Sequence, residues 1–343
     1  MSKKNIFRAL LLVSTVVSLF YVPWPIVTAW LKPIPNTIQQ QLNQTINYGF
    51  DGVILYVDVA GKAPAFYANG WHNKEQKIAA KPNALFKIAS IDKLYTAVAI
   101  TKLIGQNKLD LNKSLAYYFP ELNGKIEYAD KITVKMMVQH RSGIPNYTNT
   151  PNFWNNPTQN AQEALELIKG LPANFKPNTD YEYSNTNYLL LSLLIEKASK
   201  QSKFNYIKQV ILDPLGITNT YNSIKDINLD NLMSGYYVGI QKDIKTTNYG
   251  SMIATAEDVG IFLRALNNGS LFTGNENEIY ASIYKYNHTG LIPGYQSIAE
   301  YHKNIDAVVV QFTNTTDFSG YNWNLSEISY NRIIKIIEQN NGK

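Results

Sequence analysis

The sequence predicts an α+β fold in which an antiparallel sheet, flanked by helices, is built from both ends of the chain. Segments rich in β-branched residues lie near 53–68 and 297–312, whereas the middle region has helical patterns joined by Pro, Gly and Asn loops. Strands at both ends with helices between them suit one sheet layer with an inserted all-helical subdomain. A chain of 343 residues has enough core for such a fold.

Local patterns define the individual elements, because strands alternate with period two and helices repeat every 3.6 residues. The predicted strands are residues 53–59, 65–68, 297–302 and 307–312. The predicted helices are residues 90–103, 132–140, 161–169, 188–197, 259–266 and 326–339. The sheet layer is therefore predicted at about residues 48–85 and 235–343, and the helical subdomain at about residues 95–234.

The first 31 residues have the composition of a targeting segment. Lys3, Lys4 and Arg8 precede an apolar run, and the small residues at 27–29 could form a cleavage site for a signal peptide. No charge follows Arg8 until Lys32, so a retained membrane anchor is an equally good interpretation. Either choice predicts that residues 32–343 form one domain outside the cytoplasm, periplasmic or extracellular.

Composition excludes several other classes of function. The formal net charge is +6, and half of that surplus comes from the basic residues of the N-terminal segment, which gives no case for nucleic-acid binding. The chain has no cysteine, so it has neither disulfides nor thiolate ligands. Its four histidines do not have metal-ligand spacing with one another. We therefore expect no metal and no cofactor.

The strongest chemical signal is the pair Ser90 and Lys93, which opens an apolar run. With Ser90 at a helix start, Lys93 comes round nearly one turn later on the same face, where its amine can draw off the hydroxyl proton. The backbone N–H of Ser90 is a candidate oxyanion donor, since helix starts favour negative charge. The same spacing recurs at Ser282 and Lys285, but residues 280–285 alternate like a strand or loop.

A second signal is Tyr183 with Asn185, just before the apolar helix 188–197. A tyrosine near a lysine can act as general base and then general acid, and an asparagine amide can hold a substrate carbonyl. The same Tyr-x-Asn pattern begins at Tyr67, upstream of the nucleophile, and at Tyr147, which could form a wall of the cleft. Tyr183 is preferred because the buried helix would hold it rigidly.

A third signal is His288-Thr289-Gly290 on a predicted strand edge. His288 offers a charge for the substrate and Thr289 a hydroxyl donor. Gly290 lacks a side chain and so would allow close approach of the substrate backbone. The backbone N–H of Leu291 is then a candidate second oxyanion donor, while a solvated loop histidine at position 288 is the alternative.

Three weak signals in this order resemble a known family: the class C β-lactamases and D-alanyl-D-alanine carboxypeptidases, the penicillin-binding-protein-like serine hydrolases. Residues 104–111, 136–145 and 213–216 are similar to further segments of that family. The resemblance covers about residues 48–338. It implies the fold of these enzymes, in which an antiparallel sheet flanked by helices carries a helical insertion.

The resemblance also implies the roles of the site residues. Ser90 would be the acylated nucleophile, Lys93 its proton partner and Tyr183 the general base and acid, while Asn185, His288 and Thr289 would bind substrate. Histidine at position 288 is similar to D-alanyl-D-alanine carboxypeptidases rather than to class C β-lactamases, which carry lysine there. The expected substrate is a small cell-wall peptide, with an ester, an amide or a β-lactam as alternatives. A non-catalytic penicillin-binding sensor also stays open.

Overall fold

The structure is a computed structural model that describes residues 2–240 and 242–341. Of the predicted segments, Met1, Gln241, Gly342 and Lys343 lie outside the described residues. The helices are α1 Lys3–Leu19, α2 Trp24–Leu31, α3 Ile38–Asn47, α4 Asp92–Gly105, α5 Leu115–Tyr118, α6 Val134–Val138, α7 Ala161–Glu166, α8 Asn185–Ser199, α9 Lys203–Ile207, α10 Ala256–Asn267, α11 Glu276–Ile283 and α12 Asn322–Asn341. The strands are β1 Gly52–Val59, β2 Ala65–Asn73, β3 Ile78–Ala79, β4 Phe86–Lys87, β5 Thr220–Tyr221, β6 Tyr236–Tyr237, β7 Ile253–Ala254, β8 His288–Ile292, β9 Tyr295–His302, β10 Ala307–Thr313 and β11 Thr315–Thr316.

The main sheet has six strands in the order β3-β2-β1-β10-β9-β8, and every neighbouring pair is antiparallel. At its centre β1 pairs with β10, so that Val53 lies opposite Thr313. This confirms the predicted sheet built from both ends of the chain. The predicted insertion is not wholly helical, because β5 pairs with β7 in a small separate sheet.

Both faces of the main sheet are covered by helices. Along β1, Val53 and Leu55 pack with α3 and α12, whereas Ile54 and Tyr56 belong to the large core that includes α4, α8 and α10. Alternate side chains of a strand point to opposite faces, so a strand buried on both sides is apolar throughout. That explains the continuous Val-Ile-Leu run from which the strand was predicted.

The helices follow the sequence patterns, with differences at their ends. The cap predicted at residues 255–258 is present, since the Thr255 side chain accepts a hydrogen bond from the Asp258 backbone N–H. Helix α8 begins three residues earlier than predicted, at Asn185. Helix α6 is only five residues long, because Thr133 caps its start and a left-handed His140, with φ 56°, follows its end.

The N-terminal segment forms two helices that meet at a sharp bend. No single helix among the described residues is long and apolar enough to cross a membrane, but α1 and α2 together pass that test with an 80° bend between them. Helix α1 buries none of its side chains, whereas α2 buries Ala29. Whether this segment is a signal peptide or an anchor stays a prediction at this point.

Candidate active site

Ser90 lies in a tight turn that runs directly into α4. The residue before it, Ala89, has a left-handed backbone with φ 50°, which costs a non-glycine residue roughly 1–2 kcal/mol. Three hydrogen bonds hold this turn: the Ala89 N–H donates to Ser251 Oγ (2.8 Å), the Ile88 N–H to the Met252 carbonyl (3.0 Å), and Ser297 Oγ–H to the Ile88 carbonyl (3.0 Å). The surrounding structure therefore fixes Ser90 in a strained turn, as is common at functional sites.

Lys93 lies one turn along, with its ammonium against the Ser90 hydroxyl. Its Nζ donates to Ser90 Oγ at 3.2 Å and to Asn185 Oδ1 at 2.9 Å. The residue is 7% exposed, and its ammonium lies 5.0 Å from the centre of the Tyr183 ring. The predicted Ser-x-x-Lys geometry is thus present, and Asn185 contacts the lysine as well as facing the cavity.

Tyr183 completes a three-residue cluster around the serine oxygen. Its hydroxyl donates to Ser90 Oγ at 2.7 Å. The His140 ring stacks on the tyrosine with centroids 4.5 Å apart, and the Ser184 backbone N–H donates to His140 Nδ1. Burial, followed by the charge of Lys93, lowers the pKa of His140 to about 3, so the ring is neutral near pH 7. The sequence placed His140 in a family-like segment but gave no sign that it supports Tyr183.

Asn185 is held by the residues on either side of Tyr147. The Asn185 backbone N–H donates to Asn146 Oδ1 at 3.0 Å, and its side-chain amide donates to Thr148 Oγ1 at 3.1 Å. These bonds orient the amide oxygen toward Lys93. Sequence reasoning did not find Asn146 and Thr148, because only the fold brings their loop against the start of α8.

The third motif forms edge strand β8, which packs against the serine turn. Thr289 and Leu291 line the cavity, whereas Gly290 faces inward. A Cβ on Gly290 would meet Ser297 Oγ at 2.4 Å and the Ile88 carbonyl oxygen at 2.5 Å. The glycine therefore lets the strand approach the serine turn, which differs from the predicted approach of substrate backbone. The oxyanion roles of the Ser90 and Leu291 amides stay predictions.

His288 does not have the surroundings of a charged residue. It is 4% exposed, its Nε2 lies 2.9 Å from the Tyr284 hydroxyl and its Nδ1 2.5 Å from the Thr289 carbonyl oxygen. Burial, followed by the charges of Lys285 and Lys93, lowers the pKa of His288 well below its ordinary value. The idea of a substrate-attracting charge on His288 is therefore not supported, although the side chain does line the cavity.

These groups line a cavity of about 410 Å³ at the junction of α4, α8 and β8. Aromatic side chains form much of its remaining wall: Tyr147, Phe153, Trp154 and Tyr249. Of these, the sequence suggested only Tyr147, as a possible wall. Aromatic walls beside a few convergent polar groups are a common form of small-molecule site.

The competing Ser-x-x-Lys pair lacks this arrangement. Ser282 lies in the last turn of α11, so the predicted strand or loop was wrong there. Its hydroxyl donates to the Ile279 carbonyl oxygen at 2.7 Å, and the residue is exposed. Ser282 is therefore an exposed helical serine whose hydroxyl is hydrogen-bonded within its own helix.

Comparisons with known proteins agree with this fold. The family model described as Beta-lactamase matches residues 34–282, which include the first two motifs but end before the third. Protein flp of Staphylococcus aureus (strain N315) is 31% identical over 196 residues, which are 54% of this chain and 39% of that protein. Penicillin-binding protein 4* of Bacillus subtilis is 27% identical over 226 residues, 61% of this chain and 49% of that protein. The chain therefore matches less than half of the length of each of these relatives.

Solved structures are similar over most of the chain. D-amino acid amidase from Ochrobactrum anthropi SV3 superposes with a TM-score of 0.78 and 21% identity, covering 88% of this chain and 98% of the amidase. A penicillin binding protein from Bacillus halodurans gives a TM-score of 0.72 and 20% identity, covering 88% of this chain and 99% of that one. At such low sequence identity, the structural similarity shows that the fold is shared and nothing further.

Proposed function

This chain belongs to the beta-lactamase family of serine hydrolases, and we propose that it cleaves D-amino-acid peptides of the cell wall, like a D-alanyl-D-alanine carboxypeptidase, through an acyl-enzyme on Ser90. One observation carries the proposal: Ser90 Oγ is hydrogen-bonded at once to Tyr183 (2.7 Å) and to Lys93 (3.2 Å). A hydroxyl becomes a good nucleophile only when a neighbouring group can accept its proton. Both groups lie within hydrogen-bond distance of Ser90 Oγ, and either can accept its proton once it has lost its own.

The reaction follows from this geometry in two halves. In the first, Ser90 Oγ bonds to the substrate carbonyl carbon while the carbonyl π electrons move to the oxygen, and the Ser90 proton passes to whichever of Lys93 and Tyr183 has already lost its own proton. Tyr183 then returns a proton to the leaving nitrogen as the bond from carbon to nitrogen breaks. In the second half, a water oxygen bonds to the acyl carbon and gives a proton to the same network, which passes it to Ser90 Oγ as the bond between the acyl carbon and Oγ breaks. The amides of Ser90 and Leu291 would stabilise the oxyanion in both halves.

The preference for D-residues rests on similarity rather than on a contact seen here. The amidase from Ochrobactrum anthropi that shares this fold acts on D-amino acids by its name, and the Bacillus relatives are penicillin-binding proteins. A second candidate, an amidase for D-amino acid amides with apolar side chains, is favoured by the aromatic wall around Trp154. The intact contacts of Ser90 argue against a purely non-catalytic sensor.

A panel of matched substrates tests the proposal. We expect measurable kcat/KM on peptides ending in D-Ala-D-Ala, and at least about a tenfold preference for D-Phe amide over L-Phe amide, since a pocket that aligns one enantiomer misplaces the other. A fluorescent penicillin should label Ser90, as shown by mass spectrometry of the labelled peptide. Equal rates on both enantiomers, or hydrolysis of small esters alone, would replace this function with that of a general esterase.

A further inference from the structure

Tyr183 lies between two cavities, so its ring is not packed on every side. It lines the catalytic cavity and also a second groove of about 410 Å³, whose other walls are formed by residues 139–141, Tyr181 and residues 281–285. Its hydroxyl reaches Ser90 Oγ at 2.7 Å. A group that transfers a proton must keep such a distance while the substrate is bound. The ring of Tyr183 therefore needs a neighbour that fixes its position.

His140 contacts the segment around Tyr183 in three ways. Its ring stacks on the tyrosine ring with centroids 4.5 Å apart and planes 28° apart. Its Nδ1 accepts a hydrogen bond from the Ser184 backbone N–H at 3.2 Å, and its carbonyl oxygen accepts one from the Glu182 backbone N–H at 3.0 Å. The residues on both sides of the tyrosine are thus bonded to one histidine.

His140 is itself held firmly. It is 2% exposed and has a left-handed backbone with φ 56°, a conformation that a non-glycine residue keeps only where its surroundings impose it. Its ring also stacks on Tyr188 in the buried helix α8, with centroids 5.1 Å apart. The Tyr188 hydroxyl in turn donates to the Val138 carbonyl oxygen at 3.1 Å. His140 therefore ties the Tyr183 segment to the core of the domain.

The hydrogen bond from Ser184 also fixes the protonation state of the His140 ring. Nδ1 can accept only when it carries no proton, so the proton of the neutral ring is on Nε2, which has no hydrogen-bond partner within residues 2–240 and 242–341. A proton on Nδ1 would face the Ser184 N–H donor and add a charge near Lys93. Burial and the charge of Lys93 hold the pKa of His140 at about 3, so the acceptor is present near pH 7.

We propose that His140 is a positioning residue for the reaction: it holds the Tyr183 hydroxyl at Ser90 Oγ and takes no proton itself. The proposal rests on the proposed function, in which Tyr183 protonates the leaving nitrogen. Without the His140 ring and its acceptor, we expect the tyrosine to shift toward the second groove, whose wall it already forms. A displacement of about 1 Å in such a group can lower the rate about 10²-fold.

Two substitutions at position 140 measure this role on D-Phe amide. His140→Ala removes both the ring and the acceptor, and should lower kcat about 10- to 100-fold with less than about a threefold change in KM, because Tyr183 acts in the transition state. His140→Asn restores an acceptor, since its Oδ1 can replace Nδ1 and asparagine tolerates a left-handed backbone. It should recover about 2- to 10-fold in kcat over His140→Ala, the effect of one hydrogen bond.

The same His140→Ala change in a Tyr183→Phe background distinguishes positioning from general stabilisation. A residue that acts through the tyrosine hydroxyl has little effect once that hydroxyl is gone, so kcat should fall there by less than about threefold. A residue that only stabilises the fold would lower kcat by the same factor in both backgrounds. His302→Ala is the matched control, because its Nε2 lies 2.8 Å from the Tyr330 hydroxyl, outside the catalytic cavity, and kcat should stay unchanged.

Equal losses in the two backgrounds, or full activity of His140→Ala, would refute the positioning role while the acyl-enzyme chemistry stands. If the wild type neither cleaves D-Phe amide nor is labelled by penicillin, the proposed function fails and this proposal falls with it. ¹⁵N NMR of the histidine rings gives a second readout that needs no folded variant other than His140→Asn, which assigns the signals. In the wild type, Nε2 of His140 should carry the proton, and a proton on Nδ1 would overturn the proposal.

Discussion

A Ser90→Ala variant should lose roughly 10⁴–10⁶-fold in kcat/KM on amides and esters, because the covalent step has no other nucleophile. Covalent labelling by penicillin should disappear entirely. The change removes one oxygen from a turn that Ser251 and Ser297 hold through their own hydrogen bonds, so the fold should persist. Steady-state kinetics and intact-protein mass spectrometry measure the two effects.

Ser282→Ala is the matched control for this loss. It removes the same atom from the other Ser-x-x-Lys pair, where the hydroxyl only caps a carbonyl within its own helix. Its activity and labelling should match those of the wild type. Equal losses from the two substitutions would show that the nucleophile has been assigned to the wrong serine.

Lys93→Ala and Tyr183→Phe should each lower kcat by about 10²–10⁴-fold, the range typical of general acid–base groups. Both side chains contact the same oxygen, Ser90 Oγ, so they form one proton network. The kcat of the double variant should therefore be little lower than that of the worse single variant. The loss of either group already prevents proton transfer through the shared network, so the loss of the second has little further effect. Single-turnover acylation by penicillin measures the step directly.

The double variant can also give a result that contradicts the prediction. If the two losses simply multiply, Lys93 and Tyr183 act independently and the shared network is refuted. Tyr221→Phe, at a tyrosine outside the catalytic cavity, serves as the control for the loss of a phenol hydroxyl. Thermal unfolding of each variant separates lost chemistry from lost structure, since Lys93 is buried and its truncation leaves a cavity.

Those features of the fold and site that depend on local pattern could be predicted from sequence. The spacing of Ser90 and Lys93 places both on one helical face wherever that helix lies, and an alternating or continuous apolar run marks a strand in any context. The order of the three motifs added the resemblance to a family. These signals were enough to predict the sheet built from both ends of the chain and the cluster of side chains around Ser90.

Features that depend on packing between distant segments could not be predicted. The neutral state of His288 depends on burial beneath Tyr284 and on nearby lysines, and the motif alone says nothing about either. Gly290 is needed by the serine turn, a contact between residues two hundred positions apart in the chain. For Ser282, a short apolar alternation was compatible with strand and helix alike, whereas in the fold the buried side chains of α11, Glu276, Tyr280 and Ile283, recur with helical spacing.

The pairing of β1 with β10 has a consequence for biogenesis. Thr313 is made about 260 residues after its partner Val53, so the central pair of the sheet cannot form until all the chain between them has been synthesised. Strand pairings this distant along the chain carry a high loop-closure cost and fold slowly. Until β10 arrives, the apolar strand β1 has an open edge, a template for aggregation. The edge of β1 therefore stays open for as long as the chain needs to synthesise the residues between the two strands.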